Sequence, residues 1–180
     1  MNASLSERLR TTKWGKYKLS DLFEIDKTLS CNTNALVPGD EYDYVTRTSV
    51  NQGVLQTTGY INSENINPAG IWSLGLLQMD FFYRTKPWYS GQFMRKITPK
   101  IDIPQQGISF FTAILNKQKT RLLSVLVRNV DATFNDIEVD LPITSDGSID
   151  FAFINQLIGD LEQERILSLM SYLRSLIETV

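Results

Sequence analysis

The run from Phe151 to about Ile177 limits the fold more than any other stretch of the chain. Ile154, Leu157, Ile158 and Leu161 recur at helical spacing, and so do Ile166, Leu169, Met170, Leu173, Leu176 and Ile177. Glu162, Gln163, Glu164 and Arg165 separate the two stripes, and no strict heptad register survives across them. The spacing predicts one long helix. Such a helix with a wide apolar stripe is not stable alone in water and needs its own domain or another chain against it. Pro142, Ser145, Asp146 and Gly147 cluster just before it and mark a boundary. The expected organisation is residues 1–145 as one domain and 146–180 as a long helix for dimerisation or subunit docking.

Before that boundary the chain reads mainly as short strands joined by polar loops. A short helix is predicted over 3–12, with Leu5 and Leu9 four apart and Ser4 or Ser6 as cap. Lys18–Phe23 reads as a strand end and a single helical turn capped by Ser20. Residues 28–41, rich in Thr, Ser, Asn, Pro and Gly, read as a loop. Leu55–Thr58 and Tyr60–Ile61 suggest strands either side of Gly59, with a second polar loop at Asn62–Gly70. Ile71–Phe82, apolar around Gly75, reads as two strands or one bent strand. Phe81 and Phe82 belong to the core, and Met94–Ile97 is another strand. Ile108, Phe111, Ile114 and Leu115 share one face of a helix running to Lys119. Leu122–Val127 and Ile137–Leu141 read as strands, with a loop through Asn129, Asp131 and Asn135 between them. The fold class is α+β: a twisted, mostly antiparallel sheet body with short helices, then one long C-terminal helix.

The composition removes much chemistry. The 180 residues include no His and one Cys, Cys31. That excludes Ser-His and Cys-His catalysis and thiolate zinc sites, and it leaves no internal disulfide, which fits a reducing cytoplasm. No apolar run approaches the roughly 20 residues of a membrane span. The N-terminal MNASLSERLRTT is polar and carries Glu7, so neither a signal nor a transit peptide is expected. The net charge of −2 hides an asymmetry. Residues 1–128 carry 16 Lys+Arg against 10 Asp+Glu, whereas 129–180 carry 2 against 10. A basic body suits a phosphate backbone and an acidic end suits a protein partner, although charges also segregate with no partner at all.

Within the body, YDYVTRTSVNQGV (residues 42–54) runs from a strand-like alternation into polar loop chemistry, with Gly53 free to take φ > 0. Thr46, Arg47, Thr48, Ser49, Asn51 and Gln52 offer a guanidinium, hydroxyls and side-chain amides. These groups read guanine, adenine and phosphate, and they also populate ordinary hairpin loops. A second segment interleaves aromatics with cations: Arg84, Lys86, Trp88, Tyr89, Ser90 and Gln92. There, rings can stack on bases or sugar and cations can meet phosphate, or the cations are simply solvated beside a core of Phe81 and Phe82. A third is the basic end of the predicted helix, Lys117, Lys119 and Arg121. Cations suit a helix C-terminus for structural reasons as well as a phosphate backbone.

Five segments, in order, resemble the target-recognition domain of type I restriction–modification specificity subunits. They are KLSDLFEI (Lys18–Ile25), YDYVTRTSVNQGV, GIWSLGLLQMDFFYRTKPWYSGQFMRKITPK (Gly70–Lys100), ISFFTAILNKQK (Ile108–Lys119) and IEVDLPITSDGSIDFAFINQLI (Ile137–Ile158). Tyr89-Ser90-Gly91 stands where the family has an aromatic-rich turn. The resemblance implies a non-catalytic subunit that recognises double-stranded DNA and positions a separate methyltransferase, and further a nuclease and translocase subunit. S-adenosylmethionine and ATP would belong to those partners, and this chain would bind no cofactor. No Gly-Lys-Ser/Thr phosphate loop, dinucleotide turn or carboxylate cluster argues otherwise. Full-length members carry two such halves. This chain carries one recognition domain and one helix, so a homodimer through Ile154, Leu157, Ile158, Leu161, Ile166, Leu169, Met170, Leu173 and Leu176 would rebuild the pair and read a palindromic bipartite site. The alternative is a mobile-element or phage module that binds a restriction–modification complex rather than DNA.

Overall fold

A computed structural model describes residues 3–177, with side chains over 5–177. In chain order the elements are α1 (Ala3–Thr11), β1 (Trp14–Lys18), α2 (Leu19–Leu22), β2 (Phe23–Lys27), β3 (Tyr42–Val45), β4 (Val54–Thr58), β5 (Ile71–Gly75), β6 (Phe81–Arg84), β7 (Trp88–Ser90), β8 (Met94–Pro99), α3 (Gly107–Lys117), α4 (Lys119–Leu123), α5 (Val130–Asn135), β9 (Glu138–Pro142) and α6 (Phe151–Ile177). The contacts divide the chain into two compact units. One is Tyr17–Ile103 with Phe111–Val139. The other gathers the N-terminal segment up to Lys16, Pro104–Phe110 and the chain from Asp140 onward.

The larger unit is built on an antiparallel sheet in the order β2-β8-β5-β6. Strand β5 is central and every residue in it is buried, which is why Ile71–Leu74 lacks the alternation of a half-exposed strand. Trp72 anchors the core. Its ring meets Phe23 edge-on at 5.6 Å, and its Nε1 donates to Thr112 Oγ1 at 2.8 Å. Phe23 also meets Phe111 at 5.9 Å. Asn116 docks α3 on β6: Phe81 N donates to its Oδ1 and its Nδ2 donates to Phe81 O, at 3.0 and 2.9 Å. A second sheet, β4-β3-β7, pairs β3 antiparallel with β4 and parallel with β7, the exception in a mostly antiparallel body.

The α+β class, the split of Ile71–Phe82 into two strands and the long helix are all present. Several local expectations fail. Leu122–Val127 is not a strand, and the loop expected after it is largely helical, because Leu122, Val130 and Phe134 are buried from α4 and α5. Tyr60–Ile61 forms no strand. Ser20 lies inside α2, whose N-cap is Lys18 without a side-chain cap. Ser6 lies inside α1, and the Ser4 side chain is outside those described. Phe81 is fully buried, whereas Phe82 is only half-buried.

In the smaller unit, Arg8 pairs with Asp160 at 2.5 Å and lies over the Phe153 ring at 5.7 Å. Leu5, Ile154 and Leu157 are buried there. Ile154 and Leu157, expected at an interface, therefore pack within this chain. From Leu161 onward the apolar side chains of α6 are exposed, including Ile166, Leu169, Met170, Leu173 and Leu176, while Ile158 is half-buried.

Candidate nucleic-acid interface

Strand β3 sends Tyr44 and Val45 into the core and then turns out to the surface. Tyr44 Oη donates to Cys31 O at 2.8 Å. Burial pushes both the Cys31 thiol and the Tyr44 hydroxyl up, so both are neutral at neutral pH. Thr46 N donates to Gly53 O at 2.8 Å and closes the loop. Arg47, Ser49, Asn51 and Gln52 are exposed, with Thr46 and Thr48 half-buried. Three successive residues take left-handed backbone: Asn51 (φ 47°), Gln52 (φ 52°) and Gly53 (φ 81°). Only the last is glycine, so the loop holds two residues where side chains are disfavoured.

Three contacts hold that shape. Asn51 Nδ2 donates to Val54 O at 3.2 Å. Ser49 Oγ donates to the Asp80 carboxylate, which also pairs with Lys119 at 2.5 Å. Arg84, 3% exposed, donates from Nε and Nη2 to Ser73 Oγ at 2.9 and 2.7 Å and from Nη2 to Gln52 O at 2.5 Å. Burial pushes the Arg84 guanidinium down to about 10, still charged at neutral pH. Gly75 allows the loop's close seat, since a Cβ there would lie 2.8 Å from Arg47 Cα.

Beside the loop lies a groove of about 480 Å³, lined by Asn32, Thr33, Thr46, Arg47, Thr48, Gln78 and Gln92 among others. Its polar groups are amides, hydroxyls and one guanidinium. Arg47 lies over the Phe93 ring at 5.2 Å, a cation–π contact that aims an otherwise flexible side chain. A second groove, about 450 Å³, shares Gly91 with the first and carries Lys27, Arg95 and Arg128. Arg95 is paired with Asp131 at 2.8 Å, while Lys27 and Arg128 are exposed.

The sequence candidates separate accordingly. Thr46, Arg47, Thr48 and Gln92 come together in one groove, and Ser49, Asn51 and Gln52 stand on the adjoining loop. The side chains of Trp88, Tyr89 and Ser90 are fully buried, and that of Arg84 is nearly so, its small exposed part facing a pocket beside Asn51 and Gln52. Trp88 packs with Val45, Ile71 and Met94. Tyr89 Oη accepts from Ile61 N and Asn62 N at 3.0 and 3.2 Å and donates to Asn62 O, pinning the loop after β4. Lys86 pairs with Asp43 at 2.9 Å. Lys117 and Arg121 are exposed but line neither groove. Sequence reasoning missed Asn32, Thr33, Gln78, Lys27 and Arg128. Asn32 and Thr33 carry the same loop chemistry as the motif, a signal that was legible. The place of Gln78 depends on the β5–β6 connection. Among the described residues no group of three or more acidic or Cys side chains is arranged to hold a metal.

A family model for the type I restriction modification DNA specificity domain matches residues 11–170. The chain belongs to that family. Three solved structures share its fold. The type I restriction-modification S subunit from M. genitalium is 14% identical, with a TM-score of 0.57, over 96% of this chain and 46% of that one. The HsdS subunit from Thermoanaerobacter tengcongensis is 10% identical, with a TM-score of 0.59, over 88% and 39%. A third, from a study of complex assembly and conformational transition of the type I R-M system, is 10% identical, with a TM-score of 0.60, over 97% and 46%. This chain thus spans under half the length of each of these three matched chains. No curated protein matches it. The family supplies specificity and is non-catalytic. Among the described residues no helix is long and apolar enough to cross a membrane.

Proposed function

We propose that this domain reads a short double-stranded DNA sequence and holds a separate methyltransferase subunit at it. The observation that carries the reading is the meeting of Thr46, Arg47, Thr48 and Gln92 with Asn32 and Gln78 in one groove, beside a second bearing Lys27 and Arg128. Side-chain forks and amides discriminate bases, whereas exposed cations fix register on phosphate. The groove therefore specifies and its basic neighbour positions. Lys117 and Arg121 extend the phosphate contacts. Lys86 and Lys119, each held by a carboxylate, contribute less.

The exposed half of α6 docks protein, either the methyltransferase or a second copy of this chain that restores a two-domain reader. A nuclease and translocase subunit would join through that assembly. S-adenosylmethionine and ATP belong to the partners.

Fluorescence anisotropy on duplex DNA against salt tests the reading. Arg128→Ala and Lys27→Ala should each weaken binding to all sequences and reduce the salt slope by about 1. Arg47→Ala should cost about 1–3 kcal/mol on the preferred duplex alone. Co-purification with a methyltransferase should survive all three. A chain that keeps methyltransferase capture yet binds no duplex at low salt is instead a protein–protein module.

A further inference from the structure

We infer that Arg84 is the positioning residue of the recognition loop, setting the left-handed backbone of Asn51 and Gln52 from beneath without touching DNA. The inference deepens the DNA reading above and rests on it for its functional part. The geometry is a chain of contacts. Ser73 Oγ, on the central strand β5, accepts from Nε and Nη2 of Arg84. The same Nη2 donates to Gln52 O, and Arg84 lies over the Phe82 ring at 5.7 Å. A carbonyl at that point fixes the peptide after Gln52 and so the turn into Gly53, whose own Cβ position lies 3.4 Å from Nη2. Two successive non-glycine residues at φ near +50° need such a fixture, because the same residues relax to φ < 0 when nothing holds them.

A buried guanidinium is a costly way to hold one carbonyl. The direct contacts of Arg84 are a hydroxyl, a carbonyl and a ring, while the Asp43 carboxylate favours its charge without a salt bridge to it among the described residues. Lysine cannot replace it, since one ammonium cannot reproduce the planar fork across Ser73 and Gln52. The side chains thereby placed are those of Asn51 and Gln52, both exposed; Asn51 Nδ2 holds Val54 O, and the Gln52 amide is the one suited to adenine. Pre-organisation of this kind improves discrimination, because the correct duplex no longer has to order the loop.

The test is Arg84→Lys in the full chain, followed by NMR and by duplex binding. The positive-φ signature in the backbone carbon shifts of Asn51 and Gln52 should vanish while the shifts of β5 stay in place. Exchange of the Thr46 amide, which donates to Gly53 O, should accelerate tenfold or more. Discrimination between the preferred and an unrelated duplex should fall about tenfold, with low-salt binding to the unrelated duplex unchanged. Adding Gln52→Gly to Arg84→Lys should restore Thr46 protection, since glycine takes φ > 0 unaided. If Arg84→Lys does not fold, Ser73→Ala replaces it, with the same loop signature weakened and the sheet retained. A loop signature that survives either substitution overturns the inference, and so does one lost only together with the β5 signals. Should the wild-type chain bind no duplex, the DNA reading fails while the loop measurements still decide the role of Arg84.

Discussion

Two apolar stretches of this chain meet opposite fates. In β5 and its return through β6, Ile71, Trp72, Leu74 and Phe81 are all buried, closed in by strands from the same chain. In α6 the side chains of Leu161, Ile166 and Leu169 are 40%, 57% and 52% exposed, and the stripe continues exposed through Leu176. The residue types are alike. The difference is that β5 is paired on both edges by strands of its own sheet, whereas the apolar side chains of α6 from Ile166 through Leu176 stay exposed. Apolar surface of the first kind stabilises this fold, and apolar surface of the second kind adds nothing to it while exposed and is the surface proposed for docking.

Substitutions sharpen that contrast. Trp72→Ala should have the largest effect, about 3–5 kcal/mol in urea or thermal unfolding, because it empties the centre of the sheet and removes the hydrogen bond to Thr112 Oγ1. A loss under about 1 kcal/mol would place the core elsewhere. Next comes a pair on one helix. Ile154→Ala should cost about 2–5 kcal/mol, whereas Leu169→Ala in dilute solution should stay within about 0.5 kcal/mol. Light scattering on Leu169→Asp with Leu173→Asp should show a smaller mass than the wild type, or lost methyltransferase capture, at unchanged circular dichroism. Equal stability costs at Ile154 and Leu169 would break the comparison. The smallest effect is Lys86→Ala, about 1 kcal/mol or less by denaturant midpoint, since both partners of the Lys86–Asp43 pair are part-exposed.

The chain of contacts explains what the sequence could and could not reveal. Local period exposed α6, α3 and the break at Gly75, because each is written in the spacing of residues near one another in the chain. The helices α4 and α5 are hidden by the β-branched, leucine-rich run Leu122–Val127, in which Leu122 is buried while Leu123, Leu126 and Val127 are exposed, a pattern set by contacts from elsewhere in the chain. The candidate site was legible where the motif is local, from Thr46 to Gln52. It misled where long-range pairing decides. The parallel register that sets Tyr44 against Tyr89 takes the aromatic segment inward, and no nearby residue signals it. Arg84 looked like a phosphate ligand because it adjoins aromatics and a lysine. Its partner, the Gln52 carbonyl, lies 32 positions away.

The most direct test of the account is selection from a randomised duplex library, run in parallel on the wild-type chain and on Arg47→Ala. The account expects the wild type to enrich a defined sequence, and Arg47→Ala to enrich one relaxed at a single position, guanine by preference. No enrichment by the wild type over the starting pool, or the same sequence enriched by both, would contradict it.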